Sequence, residues 1–306
     1  MSSYAIHPEE INIMKTLCAQ NATLYAFDKD NPPQLTIDAG ETITITTQDC
    51  FGDQVTESQP LAGINWNQIN PATGPVYING AQKGDILKVT IQKITLAERG
   101  VCAVGPGFGL VDIPEMTQKF LPINHQRLQF NDEISLPLNP MIGVIGVAPE
   151  GDAISTGTPA AHGGNMDTKL IAEGAILYLP IFIPGALFAL GDLHSAMGDG
   201  EIGGSGVEIS GEVVVTLDLI KGHSISHPIV ETADQFAFLV SRKTIDEALK
   251  EATNIAIEHL KIARNLTLED ATMLGSIAGN AEISQLVDPQ LTARFTLPKT
   301  LLPSLF

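Results

Sequence analysis

Two short polar patterns lie close together near the middle of the chain: Asp192-Leu193-His194 and Asp199-Gly200-Glu201. A third, His162-Gly-Gly-Asn-Met-Asp167, lies upstream. In an extended strand alternate residues share a face, so Asp192 and His194 point the same way and can grip one cation. Mixed imidazole and carboxylate ligands suit zinc or another first-row divalent ion, whereas an all-oxygen set suits calcium or magnesium. A spare carboxylate can act on water, which gives attack on an amide or ester carbonyl as the chemistry. The same spacing also allows a hydrogen-bonded structural loop cluster. It allows a metal-free nucleophile too, with Cys50 beside Asp49 or Ser195 beside His194 as candidates. No G-x-S-x-G elbow and no S-x-x-K supports the serine. His223 and His227 flank a serine-rich turn and read as surface residues, and His7, His125 and His259 as incidental.

Between the polar groups runs an apolar stretch, Ala175 to Leu190, interrupted by Pro180 and Pro184. It is expected to form a buried strand pair, a hairpin with polar ends at the rim of a sheet; its prolines and acidic flanks argue against a membrane span. Thr42 to Thr47 alternates polar and β-branched apolar residues and leads into Gln48-Asp-Cys-Phe-Gly-Asp53. Ile86 to Ile91, Met141 to Ala148 and Val207 to Leu219 also read as strands, the last as one long alternating strand. The glycines of Gly100 to Gly109 are followed by no GK[ST], so this is a site wall or a simple loop rather than a phosphate cradle. Trp66 is expected to pin its loop to the core.

From about Ile225 the pattern changes. Two short strands are expected, Pro228 to Glu231 and Phe236 to Ser241. Thr244-Ile-Asp-Glu247 is a capping box that starts an amphipathic helix to about Arg264. Thr267 starts a second helix, which stops near Gly279. A further strand, Ala281 to Val287, and the segment Leu291 to Leu297 close the chain. The fold class is therefore α+β and predominantly β. A β-sandwich-like core over residues 1–224 carries the polar motifs, and an α+β subdomain over 225–306 packs on it as one unit.

The formal net charge of −18 excludes a basic face for nucleic acid. Three cysteines, Cys18, Cys50 and Cys102, have no metal-type spacing and suit a reducing compartment. The first residues lack the basic and apolar segments of a signal peptide, so a cytoplasmic location is expected.

Gly157 to Glu201 resembles the signature core of the acetamidase/formamidase family. Supporting motifs occur in the family's order: Gln48-Asp-Cys-Phe-Gly52, Asn70-Pro-Ala-Thr-Gly-Pro-Val-Tyr77, Gly143-Val-Ile-Gly-Val-Ala-Pro149 and Ile283-Ser-Gln-Leu-Val-Asp-Pro289. The resemblance implies a cytoplasmic C–N hydrolase that releases ammonia and a carboxylate from formamide, acetamide or a related small amide. It also implies a homodimer or higher homo-oligomer and a divalent metal, zinc favoured and calcium possible. Carried onto matching positions, it points to Asp49, His162, Asp167, Asp192, His194, Asp199 and Glu201 without dividing them into ligands and base; in the reading favoured here Asp49, His162, Asp192 and His194 are given to the metal. Glu201, Asp167 and Asp199 are assigned to catalysis, with Glu201 as general base. Asn79 departs from the family, which often has an acid there. Two other readings are a metal-free amidase using a Cys50 thiolate, and a non-enzymatic, cation-stabilised β protein that binds a small ligand.

Overall fold

The computed structural model describes residues 14–306; His7 lies outside them. Two sheets face each other, as the alternating strands require. The first has nine strands, with Glu41–Thr47, Gly211–Ile220, Ile86–Leu96 and Ile176–Pro180 adjacent in that order. The second has eleven and is built around Phe188–His194. Val213, Val215 and Leu217 alternate inward from one sheet and meet Val76, Ile142, Phe188 and Leu190 of the other in one core. Period-2 patterning thus gives Gly211–Ile220 one buried face.

The apolar stretch does not form the expected hairpin. Ile176–Pro180 pairs with Ile86–Leu96 in the first sheet, whereas Phe188–His194 pairs with Met141–Gly146 in the second. Gly185, Ala186 and Leu187 have φ of 80°, 59° and 55°, and these left-handed residues carry the chain across the core. Val207 to Leu219 is likewise two strands. Glu208–Ile209 belongs to the second sheet and Gly211–Ile220 to the first. Both segments are uniformly apolar or alternating through the break, so periodicity could not reveal a change of sheet.

The C-terminal residues extend the first sheet. Ile229–Glu231 pairs with Ile176–Pro180, and Gln235–Arg242, Leu291–Pro298 and Asn280–Gln285 follow. A helix, α1 (Ile245–Arg264), covers them. Its Ala248, Ala252, Ala256 and Leu260 fall on one face and are buried with Phe238 and Phe295. The Thr244 hydroxyl accepts from Glu247 N, as the capping box requires, and Asn265 ends the helix with φ 50°. A second helix, α2 (Leu268–Ala278), has Thr267 as its cap. Among the described residues no helix is long and apolar enough to cross a membrane.

Phe188–His194 is fully buried and hydrogen-bonded on both edges. A β-carbon on Gly191 would lie 2.2 Å from the Pro71 carbonyl oxygen, an immobile backbone atom. Gly191→Ala should therefore lower stability by about 1–3 kcal/mol through overpacking. Urea unfolding checks this, and an unchanged midpoint would contradict so close an approach of the two chains.

Candidate active site

His194 ends the central strand directly across from Glu208 on one side and Met141 on the other. Its Nε2 lies 3.0 Å from Glu208 Oε2, 3.5 Å from Asp192 Oδ1 and 3.8 Å from Asp167 Oδ1. Atoms of Asp167, His194 and Glu201 form one group that could hold a metal ion, and atoms of Cys50, Asp192 and Glu208 form another; within each group they lie within 4.8 Å of one another. Asp192 and His194 do share one face, as the D-x-H spacing predicts.

Backbone shape makes this crowding possible. Asp167, Asp192 and Glu201 have φ of 37°, 55° and 46°. Non-glycine residues in this region cost about 1–3 kcal/mol each and persist only where their surroundings hold them. Glycine supplies the room: a β-carbon on Gly143 would sit 2.4 Å from Asp167 Oδ1 and 2.6 Å from Asp192 Oδ2. One on Gly206 would sit 2.8 Å from His194 Nδ1. Gly206 N donates to Glu201 Oε1 at 3.0 Å, and the Ser205 hydroxyl donates to Glu208 Oε1 at 3.1 Å.

The charges are far from balanced. Asp167, Asp192, Glu201 and Glu208 are buried, and Asp288 adds a buried Oδ2. Both oxygens of Asp167, Asp192 Oδ1, Asp288 Oδ2 and His194 Nδ1 have no hydrogen-bond partner. Burial, with the charge of Glu201 and Asp192, pushes Asp167 well above the usual carboxylate range. Burial does the same to Glu201 and to Asp288. Asp192 is pushed up to about 6 by burial and by Glu208. Burial works against protonated His194, but Glu208 and Asp192 outweigh it and raise its pKa well above the ordinary value. Glu208 is buried too, yet His194 holds its pKa below the usual value.

The cluster floors a cavity of about 260 Å³. Asn165, Asp192, His194, Glu201, Glu208 and Asp288 line it, and Cys50, Phe51, Trp66, Ile69, Phe108 and Val287 supply apolar walls. Trp66 therefore lines the pocket, with its ring edge-on to Phe108 at 5.6 Å between centroids. The Gly100–Gly109 segment contributes Gly107 and Phe108.

Three residues assigned from sequence lie elsewhere. His162 is buried edge-on against Phe27, and both of its ring nitrogens lack partners. Burial alone lowers its pKa to about 4, and it belongs to neither donor group. Asp49 holds a turn, its Oδ1 accepting from Phe51 N and Asp53 N. Burial raises its pKa to about 7, and it too lies outside both groups. Asp199 is taken up by Arg294, which donates to Oδ1 at 3.0 Å and Oδ2 at 2.9 Å, with Lys169 3.1 Å from Oδ2. Asn79 is exposed and donates to Asp38 at 2.8 Å, away from the pocket. Cys50 does line the pocket, but burial and the charge of Glu208 push its thiol well up, which leaves a weak nucleophile.

Sequence reasoning missed Glu208, Asp288 and Asn165. Glu208 looked like an outward polar residue of an alternating strand, and only its position before the Ser210-Gly211 break hinted otherwise. Asp288 lay within a quoted motif but had no partner nearby in sequence. Asn165 sits inside the His162–Asp167 group as an uncharged residue.

The profile of the Acetamidase/Formamidase family matches residues 10–157 and 141–302. A predicted acetamidase/formamidase from the thermophile Thermoanaerobacter tengcongensis has a solved structure that is 45% identical, with TM-score 0.92, over 95% of this chain and 97% of that one. An acetamidase from Bacillus halodurans is 42% identical, also with TM-score 0.92, over 95% and 99%. A formamidase of Methylophilus methylotrophus is 28% identical over 162 residues, 46% of this chain and 40% of that one. The alignments span no more than 62% of the length of the curated relatives matched. With a family match over most of its length and these shared folds, the chain belongs to the acetamidase/formamidase family.

Proposed function

We propose that this protein hydrolyses the C–N bond of small linear amides of the formamide and acetamide type, giving a carboxylate and ammonia. The observation that carries the reading is the cluster of buried carboxyl groups around His194, with Asp192, Glu201 and Glu208 at the floor of the pocket. Family membership and the names of the relatives supply the substrate class.

The donor set fits a divalent cation. Buried carboxylates without partners are unfavourable unless a positive charge or hydrogen bonds compensate them. Asp167 and His194 would hold one ion beside Glu201, and Asp192 and Glu208, with Cys50 beside them, offer a second group. Imidazole and thiol donors favour zinc, while the excess of carboxylates leaves calcium open to test. When bound, such an ion polarises a carbonyl and acidifies water. Glu208 faces His194 Nε2 and fixes the orientation of the imidazole. Glu201, held through Oε1 by Gly206 N, takes the proton from water and returns it to the departing nitrogen. The Phe51, Trp66 and Phe108 walls exclude water and receive the acyl group.

His162 and Asp49 have no part in this proposal, because neither reaches the donor groups. Asp199 is likewise replaced by Asp192, Glu208 and Asp167 as the working carboxylates.

Ammonia release from acetamide should stop after EDTA treatment and return with zinc. Activity indifferent to EDTA, in protein shown by elemental analysis to be metal-free, would remove the metal from the reading. His194→Ala should lose bound zinc and at least about 100-fold in kcat/KM; normal zinc content with full turnover would sink the assignment. Iodoacetamide at neutral pH should leave turnover intact, since Cys50 stays a buried thiol. Loss of activity in step with Cys50 alkylation would instead favour a thiolate nucleophile.

A further inference from the structure

Arg294 is a buried guanidinium that the hydrolytic scheme does not use. It stands on Leu291–Pro298, in the first sheet, whereas His194 stands in the second. Its side chain is 4% exposed and makes five hydrogen bonds. Nε donates to Glu282 at 2.7 Å, and Nη1 donates to the Ile283 carbonyl at 2.9 Å and to Ser284 Oγ at 3.1 Å. The remaining bonds are the two to Asp199.

These partners lead to two loops. Asp199 is two residues before Glu201, and Gly200 N donates to the Ser284 carbonyl at 2.7 Å while Leu286 N donates to the Gly200 carbonyl at 3.1 Å. Ser284 Oγ receives the Thr168 hydroxyl at 2.9 Å, and Thr168 follows Asp167 directly. Lys169, on the same loop, reaches Asp199. One guanidinium therefore ties the 167–169 loop and the 199–201 loop to the same strand edge. Both loops carry a carboxyl at a left-handed position, φ 37° for Asp167 and 46° for Glu201. Such conformations need external restraint, and a planar guanidinium with five fixed donors supplies it in a way that a lysine does not.

We propose that Arg294 is a positioning residue for hydrolysis: by clamping Asp199 and Ser284 it sets the placement of Glu201 and Asp167 against His194. The C-terminal sheet edge is thereby part of the active-site apparatus. The proposal rests on the amide-hydrolase reading, and a misplacement on the scale of 1 Å at a reacting group costs on the order of 100-fold in rate.

Removing Arg294 alone would strand two acids, so the decisive variant neutralises the network: Arg294→Met with Asp199→Asn and Glu282→Gln. Its acetamide kinetics, melting temperature and zinc dissociation constant are compared with those of the wild type. The expected result is cooperative melting within a few degrees of wild type, kcat lower by about 10- to 100-fold with KM changed less than about threefold, and zinc bound about 10-fold more weakly. Kinetics and zinc affinity within twofold of wild type would overturn the clamp. Should the triple variant fail to fold, Thr168→Val with Ser284→Ala cuts the Asp167 arm without touching a charge, and it should lower kcat by about 10-fold; wild-type kcat there would overturn the proposal. Glu201→Gln is run alongside. If that variant keeps full activity the role of Glu201 as base fails, whereas if it is dead while the clamp variants are fully active only the clamp fails. If the wild type turns over neither formamide nor acetamide, the zinc constants of the clamp variants decide the question alone.

Discussion

Carboxyl groups crowded around a single imidazole, out of contact with bulk water, are the constraint to which much else in this protein responds. Burying an ionised carboxylate without compensation is among the least favourable things a fold can do. Here His194 is the one cationic candidate among Asp167, Asp192, Glu201 and Glu208. Burial and mutual repulsion drive three of these carboxyls toward protonation, and only Glu208, nearest the imidazole, is held below its usual pKa. A purely structural cluster would be expected to pair its oxygens internally. Here Asp192 Oδ1 and Asp288 Oδ2, on residues that line the pocket, are left without partners. Stability is therefore spent at the site, and the two-sheet core must supply the excess.

That core also explains how the groups are held. Phe188–His194 has strands on both edges and no exposed residue, so Asp192 and His194 start from a rigid support. Gly143 and Gly206 let the side chains pack directly against backbone. Asp167 and Glu201 come from loops and have no such strand beneath them. Their restraint arrives through hydrogen bonds from the C-terminal strands, and those strands are secured by the alanine face of α1.

What the sequence revealed follows from the range of the interactions involved. The helices and their caps depend on neighbours three or four residues away, so Thr244, Thr267 and the 248–260 stripe were readable. Asp192 with His194 was readable for the same reason, as both stand on one strand. Glu208 was not, because its partner is across a sheet and a change of sheet at Ser210 turns it inward. Asp199 and Asp192 both begin acidic-x-polar triplets, yet one is consumed by Arg294, 95 residues away, and the other faces the pocket. The two cases are locally alike and differ only in which distant residue meets them. His162 shows the converse: a motif places it beside Asn165 and Asp167, but a short strand, Gly163–Asn165, sends its ring toward Phe27 instead.

The floor and the walls of the pocket are built from different material. The floor rests on strands and on loops clamped to strands. The walls come from separate connections: Trp66 and Ile69 from one loop, Phe108 from another, and Val287 from a third. Loops tolerate substitution and length change far better than paired strands do. Small changes at Trp66 or Phe108 can therefore alter the shape of the pocket without disturbing the charge arrangement at its floor. A change at Gly143 or Gly206 cannot be so contained, since any side chain there meets a carboxylate or the imidazole itself. Pocket shape in such a fold is thus free to drift while the charge arrangement at its floor stays fixed by packing.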